Sequence, residues 1–198
     1  IQRKIMTTIG SSNIFNLAVK GTFDDCQKIV KEMFSDDLFR KKINMSGVNS
    51  INWARIICQI VYYFYAVLKL SNDKLSFSVP TGNFGDVYSG YVAKKMGLPI
   101  NKLIVATNEN DILQRVISSG EYKPSQVKPS LSPSMDIQVS SNFERLLFDL
   151  VNQNDQRVSN LMKALVLKGH FNLDKEELNK IKNDFSSVKI TDKETLFI

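Results

Sequence analysis

The chain has 198 residues, 43% of them hydrophobic, enough to bury one sizeable core in one or two domains. Its net charge of +6 comes from scattered lysines, paired only at Lys41-Lys42 and Lys94-Lys95, without an aromatic-and-basic platform, which argues against direct nucleic-acid binding. No stretch reaches about eighteen apolar residues and the lone His170 has no His or Cys nearby, so neither a membrane span nor a metal site is expected.

Residues 1–12 carry no start signal, and the chain opens on Ile1 rather than Met. Residues 13–19 alternate loosely and read as a strand. A helix begins at Gly21-Thr22, where Thr22 and Asp25 make a capping-box-like pair. Cys26, Ile29, Val30, Met33 and Phe34 form its apolar face, and residues 35–42 predict a short polar helix. The run IICQIVYYFYAVLKL, residues 56–70, is apolar nearly all round and predicts a largely buried helix. Cys58 lies within it. With Cys26 it is expected to be a buried thiol in a reducing cytoplasm rather than half of a disulfide. Asn49, Ser50, Asn52 and Arg55 fall in the cap and first turn of this helix. They are either ordinary capping residues with a surface arginine or an anion site with a guanidinium clamp.

Residues 76–97, SFSVPTGNFGDVYSGYVAKKMG, are the centre of the chain. A short apolar strand at 77–80 feeds a small-residue turn, Thr81-Gly82-Asn83-Phe84-Gly85-Asp86. Val87, Tyr91, Val92 and Met96 then recur at helical spacing until Gly97 and Pro99 end the helix. A strand, a glycine turn and a helix start in that order can converge several N–H groups on one anion. The alternative is a tight connection that binds nothing.

Residues 102–107 form another apolar strand, and 110–117 a helix closed by Gly120. This alternation predicts an α/β fold, a parallel sheet with helices on both faces. Ligands bind beyond the carboxyl ends of such strands, where 81–86 and 107–111 share one edge. Residues 120–133 are irregular and hold three of the five prolines. Helices are expected at 143–150, at 155–168 ended by Gly169, and at 174–185 opened by Asp174 and Glu177. The tail, 186–198, stops without a helix terminator.

The runs SVPTGNFGDVYSGYVAKKMGLPI, LIVATNENDIL and LSPSMDIQVSSNFERLLF resemble threonine synthase of the longer bacterial and fungal type. KGTFDDCQKIVKEMF and SGVNSINWARI resemble the same family in the same order, so the likeness runs from about Met6 to about Leu150 and thins out afterwards. The resemblance implies a fold-type II enzyme dependent on pyridoxal 5′-phosphate, similar to the tryptophan synthase β chain. Such an enzyme converts O-phospho-L-homoserine and water to L-threonine and phosphate, the last step of threonine biosynthesis. It further implies that Gly82, Asn83, Phe84, Gly85 and Asp86 hold the cofactor's phosphate. Asn49, Ser50 and Arg55 would recognise the substrate's phosphate, and Asn108 would line the site. Residues 1–48 would belong to the smaller substrate-side domain and 49–198 to the larger cofactor domain. Asp86 is expected to cap the helix or bind loop N–H groups, because a carboxylate repels a phosphate.

One departure is large. The family's Schiff-base lysine lies in a phenylalanine–lysine–aspartate context before the phosphate turn, and no such context occurs in these residues. The family's C-terminal segment, which partners the pyridine nitrogen, is also missing. The chain is therefore expected to be an internal fragment without a catalytic residue of its own, and inactive alone. Two other functions stay open: a threonine-synthase-like phospholyase that releases a 2-oxo acid, and a non-catalytic phosphate-binding remnant. A dinucleotide site is disfavoured because TGNFGD lacks the G-x-G-x-x-G spacing.

Overall fold

The computed structural model describes residues 2–20, 23–48, 51–70 and 74–197. The chain divides into two compact units, Ile1–Gly47 and Val48–Ile198. The first contains α1 (Gln2–Met6), α2 (Phe23–Ser35) and α3 (Asp37–Lys42). Asp36 caps α3, its carboxylate accepting the Phe39 N–H at 2.9 Å. The strand expected at 13–19 does not form, and these residues are irregular and exposed. Alternation makes a strand only where a neighbour completes the ladder, and among the described residues none pairs with this segment. The Thr22–Asp25 cap lies outside what is described.

The second unit runs α4 (Trp53–Leu70), β1 (Leu75–Pro80), α5 (Gly85–Lys95), β2 (Ile100–Thr107), α6 (Ile112–Ser119) and β3 (Glu121–Tyr122). A 3-10 turn at Pro133–Met135 follows, then α7 (Phe143–Leu150), α8 (Asp155–Lys168), β4 (Phe171–Asn172), α9 (Lys175–Asp184), β5 (Phe185–Lys189) and α10 (Asp192–Phe197). The main sheet is ordered β1-β2-β5, with both pairings parallel. It is flanked by α5, α6 and α9, the α/β architecture that the alternation predicted. The strand β5 was not anticipated. Phe185 both caps α9 and opens β5, so no turn residue separates the two. Asp174 and Glu177 open α9 as expected, and do so as a capping box, while Arg157 grips the Glu177 carboxylate with two hydrogen bonds of 2.8 and 2.9 Å.

Helix α5 is central: Val87, Tyr88, Ser89, Gly90, Tyr91 and Ala93 are all buried. A Cβ on Gly90 would sit 2.6 Å from the Tyr63 ring and 2.8 Å from a Leu103 methyl. The missing side chain is what lets α4, α5 and β2 close together. Ser89 ties the same junction, its hydroxyl donating to Ile56 O at 3.0 Å.

Helix α4 corrects an expectation. Ile56, Tyr63 and Val67 form a buried stripe, while Val61, Tyr62, Tyr65 and Leu68 are exposed. The all-round apolar composition predicted burial on every side, yet α5 covers only one. By length and composition α4 could cross a membrane, but its buried stripe packs into this folded unit. Nor are the thiols buried: Cys26 is half-buried and Cys58 exposed, both without a disulfide.

Candidate functional site

The turn after β1 is held from behind and open in front. Thr81 stays on the sheet, donating its N–H to Ala106 O at 2.8 Å. Gly82 O accepts the Ser140 hydroxyl at 2.9 Å. Asn83 O accepts both the backbone N–H of Asn142, at 3.1 Å, and its carboxamide, at 3.0 Å. The carbonyls are thus occupied by the segment leading into α7. The N–H groups of Gly82, Asn83, Phe84, Gly85 and Asp86 have no protein acceptor among the described residues, and the first helical bond runs from Tyr88 N–H to Phe84 O. That leaves a row of donors at the positive end of α5.

Phe84 sits at φ 66°, in the left-handed region that bulky residues avoid at a cost of about 1–2 kcal/mol. Its ring, 1% exposed, offsets this by packing against Phe143 and Phe185 at centroid distances of 5.4 and 5.7 Å. Phe84 therefore serves the turn through its backbone and the core through its side chain. A Cβ on Gly82 would lie 3.0 Å from Ser134 O and 3.2 Å from Met135 Cα, so another stretch of backbone closes directly over this glycine.

A cavity of about 210 Å³ opens on these donors, lined by Arg55 and Gln59 of α4, by Pro80 through Asp86, and by Ser134 and Met135. Asn52 starts α4, its carboxamide oxygen accepting the Ala54 N–H at 2.9 Å, which places Arg55 in the first turn. No carboxylate among the described residues pairs with the Arg55 guanidinium. Two larger clefts, about 630 and 520 Å³, run along α7 and α8 with mainly apolar walls. The small cavity joins a row of free amides to a cation.

Asp86 does not cap α5. The helix has no side-chain cap, and the Tyr63 hydroxyl donates to the Asp86 carbonyl at 3.0 Å and to its carboxylate at 3.2 Å. Burial raises the Asp86 pKa, and the Tyr63 hydrogen bond offsets only part of that. Burial and the adjacent Asp86 also push the Tyr63 hydroxyl well above the usual tyrosine range.

Asn108 is buried but does not line the cavity. Its amide donates to Ser130 Oγ and to Asp136 Oδ1, each at 2.7 Å, and its oxygen accepts the Asn110 N–H at 2.8 Å. Asn49 and Ser50 lie outside the described residues. Gln59, Tyr63, Ser134 and Met135 escaped the sequence reading. Gln59 did leave a signal: with Lys69 it interrupts an apolar run, and it stands four residues after Arg55, on the same helix face. Ser134 and Met135 reach the turn across more than fifty residues of chain and left none.

Fold and site together define an α/β chain with a row of open backbone amides and an arginine at the carboxyl edge of a parallel sheet. Comparison with known proteins narrows the class. The chain is similar to threonine synthases over almost all its residues, being 51% identical over 197 residues to that of Pseudomonas aeruginosa and 48% over 209 to that of Saccharomyces cerevisiae. Each match takes in 98% of this chain but only 42% and 41% of the relatives, so the chain spans about two fifths of their length. The crystal structure of PLP-bound threonine synthase from Brucella melitensis matches with a TM-score of 0.92 and 51% identity, over 98% of this chain and 42% of that one. The Escherichia coli threonine synthase matches more loosely, with a TM-score of 0.61 at 25% identity over 95% and 59%. No family model matches. The likeness read from the five sequence blocks is borne out, and it extends well past Leu150.

Proposed function

We propose that this chain carries the cofactor-phosphate cradle and part of the substrate site of a threonine synthase, which makes L-threonine and phosphate from O-phospho-L-homoserine and water with pyridoxal phosphate. One observation carries the proposal: five N–H groups and an arginine, all without a protein partner among the described residues, meet at a helix start in one cavity. These features fit a phosphate ester, which offers several acceptor oxygens to short backbone donors. When bound, pyridoxal phosphate supplies an electron sink for bond changes on the substrate.

The residues of the chain bind and orient. Gly82, Asn83, Phe84, Gly85 and Asp86 hold the cofactor phosphate through their amides, with Phe84 anchored in the core. Arg55, always charged and able to hold two oxygens at once, takes the phosphate that the substrate loses; Asn49 and Ser50 join it. Tyr63 keeps a hydrogen bond on Asp86, the one carboxylate lining the cavity among the described residues. Asn108 acts on the site from behind. Residues 1–48 belong to the substrate side and 49–198 to the cofactor domain. The chain alone is expected not to turn over substrate, because the family's phenylalanine–lysine–aspartate context does not occur in these residues.

Titrating the chain with pyridoxal phosphate and with pyridoxal tests the cradle. The phosphorylated form should bind at least about tenfold tighter, roughly one charge-assisted contact. Equal affinities would reject the assignment. Because Arg55 opens on the same cavity as the turn, a second reading gives its guanidinium to the cofactor phosphate. Arg55→Ala decides: pyridoxal phosphate affinity stays near normal if Arg55 serves the substrate and falls if it serves the cofactor.

A further inference from the structure

The wall of the cavity facing Gly82 is backbone, and backbone so close to a glycine must be held in place. Met135 N–H bonds to Ser132 O at 2.8 Å, which shapes the short turn; the same carbonyl meets the Asn108 amide only at a long 3.5 Å, a weak direct tie to the sheet. Asp136 supplies the stronger one. Its Oδ1 accepts the Ser130 hydroxyl at 2.6 Å, the Asn108 amide at 2.7 Å and the Asn110 amide at 3.0 Å, while its Oδ2 accepts the Ser130 N–H at 2.9 Å. Four donors surround this carboxylate, none of them cationic. Asn108 follows Thr107, the last residue of β2, and Asn110 is two residues further on. Thr81 is tied to the same strand end through Ala106 O. The wall and the turn are therefore both referenced to the end of β2, the wall by way of Asp136.

We infer that Asp136 is a positioning residue for the phosphate cradle, setting how closely Ser134 and Met135 approach Gly82. The inference rests on the anion-binding proposal above. Its sign is distinctive. Removing a negative charge near an anion site would by charge alone strengthen anion binding, whereas freeing the wall weakens it by loosening a site that works only when its geometry is held.

Titration of the chain with inorganic phosphate and with pyridoxal phosphate, on wild type, Asp136→Ala, Gly82→Ala and the double variant, provides the test. Both single variants should bind about tenfold more weakly. The two should also couple: once the wall is free, the added methyl at Gly82 finds room, so Gly82→Ala should cost less than about threefold in the Asp136→Ala background. If Asp136→Ala does not fold, Asp136→Asn keeps the volume but turns an amide against the Ser130 N–H, and should show the same directions at smaller size. Unchanged or tighter binding in the folded Asp136 variant, or strictly additive losses, would overturn the inference and leave the cradle standing. A wild-type chain that binds neither probe would overturn the cradle, and the inference with it.

Discussion

The turns after β1 and β2 leave the same sheet edge from neighbouring strands, and they are finished in opposite ways. After β1 the carbonyls are tied and five amides find no acceptor among the described residues, at the start of a helix and beside an arginine. After β2 the polar groups close on one another: Asn108, Asn110, Ser130 and Asp136 exchange hydrogen bonds until little capacity remains. The first turn leaves its amides open, and the second completes itself. Proximity to the ligand-binding edge of a parallel sheet therefore does not make a residue a ligand contact. Unsatisfied donors distinguish the two.

The largest expected effect attacks the closed turn. Asn110 is 3% exposed, and its carboxamide meets both the N–H and the carbonyl of Lys128 at 2.8 Å as well as Asp136. Asn110→Leu leaves these partners buried and short of bonds. At about 1–3 kcal/mol for each stranded buried group, with partial relaxation, it should cost about 3 kcal/mol of stability. Urea denaturation of the chain measures this, and a loss below about 1 kcal/mol would mean that the second turn is not closed by its own side chains.

The open turn should respond in the other currency. Gly82→Ala brings a methyl to 3.0 Å from Ser134 O, so the wall must shift by a few tenths of an ångström. The stability loss should stay below about 1 kcal/mol, within the ordinary range for a surface-side substitution, while phosphate affinity falls. A variant that loses stability but keeps its affinity would blur the contrast between the turns.

The contrast was half legible in the residues. The open turn announces itself, because strand, glycines and helix follow one another within twenty residues and local spacing carries the signal. The parallel sheet was equally plain from its apolar strands. The closed turn was not: the partners of Asn108, Ser130 and Asp136, lie more than twenty residues away in the chain, and no local pattern pairs them. Burial of α4 was overread for the same reason, because composition reports what a helix can bury and not how many neighbours it has. Residues 13–19 failed as a strand for want of a partner, and β5 was hidden by running straight on from a helix.

The smallest effect separates the two turns by pH. Burial raises the pKa of Asp86, at the open turn, with the Tyr63 hydrogen bond offsetting only part. Burial also acts to raise Asp111, beside the closed turn, but the hydrogen bonds and charges of Lys189 and Arg115 outweigh it and hold the carboxyl low. The two must then affect stability with opposite signs. Below 3.8 Asp86 is neutral in both the folded and the unfolded chain and costs nothing; as pH rises from 3.8 to the raised folded value, the unfolded carboxyl ionises first and stability is drawn down. The contribution of Asp111 is complete above 3.8 and is lost as pH falls through its depressed folded value. Asp86→Asn should therefore flatten the decline above pH 3.8, and Asp111→Asn should flatten the loss on the acid side while costing about 0.5 kcal/mol at neutral pH, as expected of part-exposed ion pairs. Asp86→Asn should also strengthen phosphate binding at neutral pH, since it removes a carboxylate that lines the cavity. Urea midpoints followed from pH 3 to pH 8 give both slopes, and if the two variants change the pH profile in the same direction, the turns do not differ electrostatically as their hydrogen bonds indicate.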